Sequence, residues 1–153
     1  MSLLDRKSSQ ILIREVIRGL STRELPVINE DASIEEVIAV LVKSRHSRML
    51  NVVNDQQQLV GTISLGALMR HVFVHDREPT VHARALVGAM SRETASDIMR
   101  RRPITATADD EIGTVTRRML KANVKEIPVV DSSGRVIIDL TIVDLMQHLL
   151  SND

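Results

Sequence analysis

Thr141 and Asp144 stand three residues apart in TIVDLM, where a β-branched run gives way to an apolar closing helix. Two kinds of work suit this pair. An ionised carboxylate is acceptor-only with two oxygens, so Asp144 can take two neighbouring hydroxyls, while the Thr141 hydroxyl donates to an anion. The free amides and partial positive charge of a helix start favour the same anion. Thr-x-x-Asp is also a capping motif, and in that role it needs no ligand. An earlier stretch, SLGALM at Ser64–Met69, repeats the pattern with Ala67 in place of the acid. One copy keeps a carboxylate that the other lacks.

The elements that carry these residues are themselves repeated. Leu50–Val72 set over Ile127–Leu149 without a gap gives identities at Val52/Val129, Val53/Val130, Leu68/Leu145, Met69/Met146 and His71/His148. Each copy opens on a short apolar segment, LPVI (Leu25–Ile28) or PITA (Pro103–Ala106). A helix follows. In the first copy Ser33 and Glu36 form a capping box, and Ile34, Val37, Ile38, Leu41 and Val42 make one buried stripe. Ile112, Val115, Met119 and Leu120 repeat the stripe after Asp109 and Asp110, and one inserted or deleted residue separates the two registers. VVDSSGRVII (Val129–Ile138) reads as a hairpin turning at Ser132-Ser133-Gly134, with VVNDQQQLVG (Val52–Gly61) its weaker counterpart. The order in each copy is β-α-β-β-α. An amphipathic segment through Ile11, Leu12, Glu15, Val16 and Leu20 precedes the first copy, and Thr80–Met90 reads as a helix between the copies. At roughly 50 residues each, the copies are too small to stand alone and are expected to pack as one pseudo-symmetric body.

Composition narrows the function. Lys plus Arg and Asp plus Glu number 20 each, so nothing marks a nucleic-acid or membrane surface. The absence of cysteine excludes disulfides, thiolate metal sites and cysteine nucleophiles. Phe73 is the only Phe, Trp or Tyr, which argues against a stacking platform for exposed bases. Apolar runs are too short to span a bilayer and no secretory signal is visible, so a cytoplasmic protein is expected.

DIMRRRPITATADDEIGTV (Asp97–Val115) and IPVVDSSGRVI followed by LTIVDLM resemble the CBS-domain pair, or Bateman module. The first copy departs from the pattern, with Asn51 for the usual proline and Ala67 for the usual aspartate. The resemblance implies an α+β fold of two tandem CBS repeats packed with pseudo-two-fold symmetry. Its segments are 1–19 (N-terminal helix), 20–71 (first repeat), 72–93 (linker and helix) and 94–150 (second repeat). It implies a non-catalytic regulatory sensor that binds AMP, ADP, ATP or S-adenosylmethionine between the repeats, forms homodimers and signals to an effector protein. The alternative is an interaction module for dimerisation whose clefts are vestigial.

Carried over, Thr141 and Asp144 hold the ribose-phosphate and face STRELPVI (Ser21–Ile28) and RML (Arg48–Leu50) of the first copy. Leu25, Pro26 and Met49 would contact the base and Arg48 a phosphate. Ser64 and Ala67 face Ile104, Thr105 and Lys125 in a degenerate second cleft. There the missing carboxylate costs about 1.5–3 kcal/mol of binding. Asp144→Ala is expected to abolish nucleotide binding and leave the fold intact.

Other signals carry less. Arg100-Arg101-Arg102 reads first as a solvated charge run, and second as a draw for polyphosphate. His71 and His75 have a metal-compatible spacing with no acid or thiolate grouped beside them. The Ser132–Gly134 turn lacks the lysine and glycine spacing of a phosphate loop. No Ser-His-Asp order or carboxylate pair suggests catalysis.

Overall fold

The computed structural model describes residues 10–20, 23–44, 48–74 and 92–151. The expected helix at Thr80–Met90, and His75, lie outside them. An N-terminal helix, α1 (Ile13–Arg18), precedes β1 (Val27–Asn29), α2 (Ile34–Lys43), β2 (Met49–Val53), β3 (Leu59–Ser64) and α3 (Leu65–Val74). A short helix α4 (Ala95–Ile98) and strand β4 (Arg100–Arg101) lead to α5 (Ile112–Ala122), β5 (Glu126–Val130), β6 (Val136–Thr141) and α6 (Ile142–Ser151). The fold is α+β and the described elements repeat, with one strand missing from the second copy.

The two hairpins match position for position. β2 and β3 pair antiparallel with a bulge between Val52 and Val53, and β5 and β6 do the same with a bulge between Val129 and Val130. Their turns are built alike. The Asp131 carboxylate accepts from the amides of Ser133 and Arg135 at 2.9 and 3.0 Å, and Gly134 sits at φ 84°. In the first copy Asn54 accepts from the amides of Gln56 and Gln58, both at 3.0 Å, and Gln57 takes the left-handed position at φ 64°. The opening strands differ. β1 runs parallel to β2 over Val27–Asn29, whereas the PITA segment makes only a single parallel bridge, Ala106 to Val129. Asn51 donates its amide to the Pro26 carbonyl in the first copy, but Pro128 at the matching position has no amide to give Ile104, and a turn closed by Thr107 and Asp110 follows at once.

The chain divides into two compact units, Pro26–Pro103 and the residues up to Leu25 together with those from Ile104 on. Each repeat is therefore completed by the segment that precedes the other. In the first-repeat unit, the amides of Ala95 and Ser96 bond the carbonyls of Ala32 and Glu30 at 2.8 and 2.9 Å. In the second-repeat unit, those of Ile13 and Arg14 bond Asp110 and Ala108, both at 2.9 Å. The carbonyls correspond one for one between the repeats. Ile13 and Val16 bury in the second-repeat core with Ile112, Val115, Met119 and Leu145. Full burial of each is worth about 1.5–3 kcal/mol.

The expected helix stripes need correction at their ends. Ile34, Val37 and Leu41 are buried in α2, and Ile112, Val115 and Met119 in α5, but Val42 and Leu120 are exposed. At eight residues from the first stripe position, a 3.6-residue repeat has rotated the side chain off the seam. Likewise α1 buries Ile13 and Val16 while Glu15 faces out. The first-repeat sheet adds β4, paired to β3 through Gly61–Arg101 and Thr62–Arg100. A Cβ on Gly61 would lie 3.0 Å from the Arg100 carbonyl of β4 and 2.4 Å from the Met99 sulfur, so glycine eases the approach of this strand.

Candidate functional site

Thr141 is the last residue of β6 and Asp144 lies in the first turn of α6. Both roles anticipated for the pair draw on one reciprocal capping box. The Thr141 amide donates to Asp144 Oδ2 at 2.8 Å, and the Asp144 amide donates to Thr141 Oγ1 at 3.1 Å. Capping occupies only one carboxylate oxygen. Arg23 takes both: its Nη1 donates to Oδ2 at 2.8 Å and its Nη2 to Oδ1 at 2.5 Å. The Asp144 side chain is 4% exposed and that of Arg23 29%, so this fork is held largely out of water. Burial pushes the Asp144 carboxyl up. The bonds from Arg23 and from Thr141 outweigh it and hold the group below the usual carboxylate range. The hydrogen bond to Asp144 raises Arg23 above its ordinary value against the opposing effect of burial.

By this geometry Asp144→Ala costs stability as well as the expected binding. Removing the carboxylate opens the cap and leaves a partly buried guanidinium without its acid. Arg23 itself was not among the expected site residues, although it lies in STRELPVI two residues before Leu25. The signal for it was present in the repeat. The paired bridges Ile28–Val52 and Ala106–Val129 align the opening segments, and that alignment sets Arg23 over Arg101.

The matching helix start in the first repeat is simpler. Ser64 Oγ accepts from the Ala67 amide at 3.0 Å, and the Ala67 methyl has no acceptor with which to return a bond. Arg101 instead donates from Nη2 to the carbonyl and hydroxyl of Ser96, at 3.1 and 3.2 Å. Arg100, Arg101 and Arg102 are all exposed.

The remaining expected residues divide between the units. Leu25, Ile104, Thr105 and Lys125 fall with Thr141 and Asp144, whereas Pro26, Arg48, Met49, Ser64 and Ala67 fall in the first-repeat unit. Pro26 and Met49 are buried, and Arg48 is exposed. The Arg48 carbonyl accepts the Leu65 amide at 2.8 Å, and the Lys125 carbonyl accepts the Ile142 amide at 2.9 Å. These two residues thus anchor the closing helices through their backbones. Ile104 packs on the second-repeat core, and the Thr105 carbonyl accepts from Arg118 at 3.1 Å.

A cavity of about 540 Å³ runs between α1 and α6, with Asp144 in its wall beside Val16, Leu20 and His148. That volume falls in the range of small-molecule sites. His71 Nε2 lies 2.5 Å from the Glu93 carboxylate. Among the described residues, no three His, Cys, Asp or Glu side chains gather as a metal site, and no helix is long and apolar enough to cross a membrane. The outer faces repeat as well: Val42, Met69 and Phe73 are exposed on one unit, and their counterparts Leu120, Met146 and Leu150 on the other.

The family profile of the CBS domain matches residues 13–74 and 95–151, both repeats. The CBS-domain pair of protein MJ0100, solved with 5′-methylthioadenosine and S-adenosylmethionine, is 26% identical with a TM-score of 0.65 over 94% of this chain and 98% of that one. CBSX2 of Arabidopsis thaliana, solved with AMP, is 21% identical with a TM-score of 0.71 over 92% of this chain and 97% of that one. A homoserine O-acetyltransferase of Methanococcus vannielii is 24% identical over 129 residues, 84% of this chain. The chain spans only 24% of that enzyme's length.

Proposed function

The chain belongs to the CBS-domain family, and on that premise we propose that it is a regulatory sensor module for an adenosine-containing ligand. Thr141 and Asp144 bind the ribose-phosphate. The observation that carries this reading is the Asp144 carboxylate: buried, kept ionised, and needing only one of its oxygens to cap α6. A cis-diol fits such a group, because two adjacent hydroxyls donate to two acceptor oxygens. The relatives solved with AMP and with S-adenosylmethionine support the ligand class. The family resemblance assigns Leu25, Pro26 and Met49 to the base and Arg48 to a phosphate. The opposite cleft of Ser64, Ala67, Ile104, Thr105 and Lys125 binds weakly or not at all, since Ala67 offers no acceptor.

The protein is not itself a catalyst in this reading. It acts in the cytoplasm on a partner protein, and the ligand regulates by favouring one of two module states by about 1–3 kcal/mol. The matched apolar residues Val42, Met69 and Phe73, with Leu120, Met146 and Leu150, fit a homodimer joined through both repeats. The test is direct. The chain has neither Trp nor Tyr, so adenine carried through purification stands out in its ultraviolet spectrum and is identified by mass after denaturation. Protein stripped of ligand is then titrated with AMP, ATP and S-adenosylmethionine by equilibrium dialysis. Saturable binding that Asp144→Asn abolishes supports the sensor. Absence of binding by all three to folded protein leaves the interaction module as the reading.

A further inference from the structure

We infer that Arg23 is a specificity-determining residue that makes the Asp144 cleft select a 5′-phosphorylated adenosine over a neutral one. The inference rests on the adenosine reading above and goes beyond it. The Asp144 carboxylate has about four acceptor positions. Thr141 and Arg23 already use three of them, two on Oδ2 and one on Oδ1. A ribose diol needs two, so at least one arm of the Arg23 fork must open before the sugar can seat. Arg23 and the sugar compete for one group.

What happens to the displaced guanidinium decides the selectivity. It stays charged at any working pH and is mostly shielded from water. A neutral nucleoside takes its acid and returns nothing. A nucleotide brings an anion to which the same fork can transfer, and Arg–phosphate pairing is bidentate as well. The cation therefore opposes adenosine and assists AMP. The first repeat shows the matching position without the acid: Arg101, in the repeat whose helix start carries Ala67, turns to Ser96. The fork at Arg23 thus follows from Asp144 and is not a fixed habit of the segment.

Equilibrium dialysis of adenosine and AMP against the intact protein, Arg23→Gln and Arg23→Lys provides the test, with circular dichroism melts to confirm folding. Wild type is expected to bind AMP at least about tenfold more tightly than adenosine, the scale of one charge-assisted contact. In Arg23→Gln adenosine binds more tightly than to wild type, AMP does not, and the preference falls to about twofold or less. Arg23→Lys, which keeps the charge but loses the fork, retains part of the preference. An equal AMP-to-adenosine ratio in wild type and Arg23→Gln, with both ligands bound, overturns the role of Arg23 and leaves the sensor standing. Wild type without preference overturns it whether or not the glutamine variant folds. No binding of either ligand to folded wild type removes the sensor reading and this inference together.

Discussion

Two helix starts in one chain were given the same local design and different chemistry. At α3 a serine hydroxyl caps one amide and the residue three further on is alanine. At α6 the threonine cap is answered by Asp144, and the acid in turn fixes Arg23 from a segment 121 residues away. The hairpins in front of the two helices share register, bulge and turn geometry, so the scaffold is not what separates them. A single carboxylate is. It converts a helix cap into a charged site whose partner comes from the N-terminal segment, while the corresponding arginine of the other repeat makes do with Ser96.

Removing the carboxylate has the largest expected effect. Asp144→Ala loses a cap worth about 1 kcal/mol and strands a charge-assisted bond worth about 1.5–3 kcal/mol, for a total near 3 kcal/mol. Ser64→Ala, at the simpler start, costs about 1 kcal/mol. Urea unfolding followed by circular dichroism compares the two, and equal losses would mean that the Arg23 fork contributes nothing.

Acid should weaken the charged start alone. The Asp144 carboxyl sits below its ordinary value when folded and at about 3.9 when unfolded. As pH falls, the unfolded chain takes up the proton first. The stabilisation is complete above the unfolded value and is lost as pH drops through the depressed folded one. Wild type should therefore lose more stability than Asp144→Asn between about pH 5 and pH 2. Parallel curves for the two proteins would show that the acid is not held ionised by the fold.

Installing the missing acid tests the comparison from the other side. Ala67→Asp gives the Ser64 amide a partner and should add about 0.5–1 kcal/mol. If Arg101 turns from Ser96 to the new carboxylate, a double-mutant cycle with Arg101→Ala yields a coupling of about 0.5 kcal/mol or more. The smallest effect is expected at the turns. Gln57 holds a left-handed conformation that Gly134 holds in the other copy. Gln57→Gly should raise the unfolding midpoint by an amount worth about 0.5–1 kcal/mol, whereas Gly134→Gln should lower it.

Much of this was legible in the chain. The two repeats, the Ser33 box, the Ser132–Gly134 turn and the buried residues of α2 and α5 follow from spacing, because each depends on residues within a turn or two of one another. The Thr141–Asp144 pair was legible as either a cap or a ligand site, since both need the same two side chains at the same separation. Local pattern could not say that Val42 and Leu120 emerge from their stripes, because the limit of a buried face is set by what packs on it. Nor could it show the PITA segment contracting to one bridge, which turns on the pairing available to Ala106 from Val129.

The sequence by itself determined the repeat, its caps and turns, and which copy owns an acid. All are properties of neighbours along the chain. The tertiary structure alone decided that the N-terminal helix completes the second repeat and that α4 completes the first. That exchange is what delivers Arg23 to Asp144. The physical reason is distance: a fork between residues 121 apart exists only where distant segments are brought together by the burial of Ile13 and Val16 in a common core, and no local periodicity encodes such a meeting.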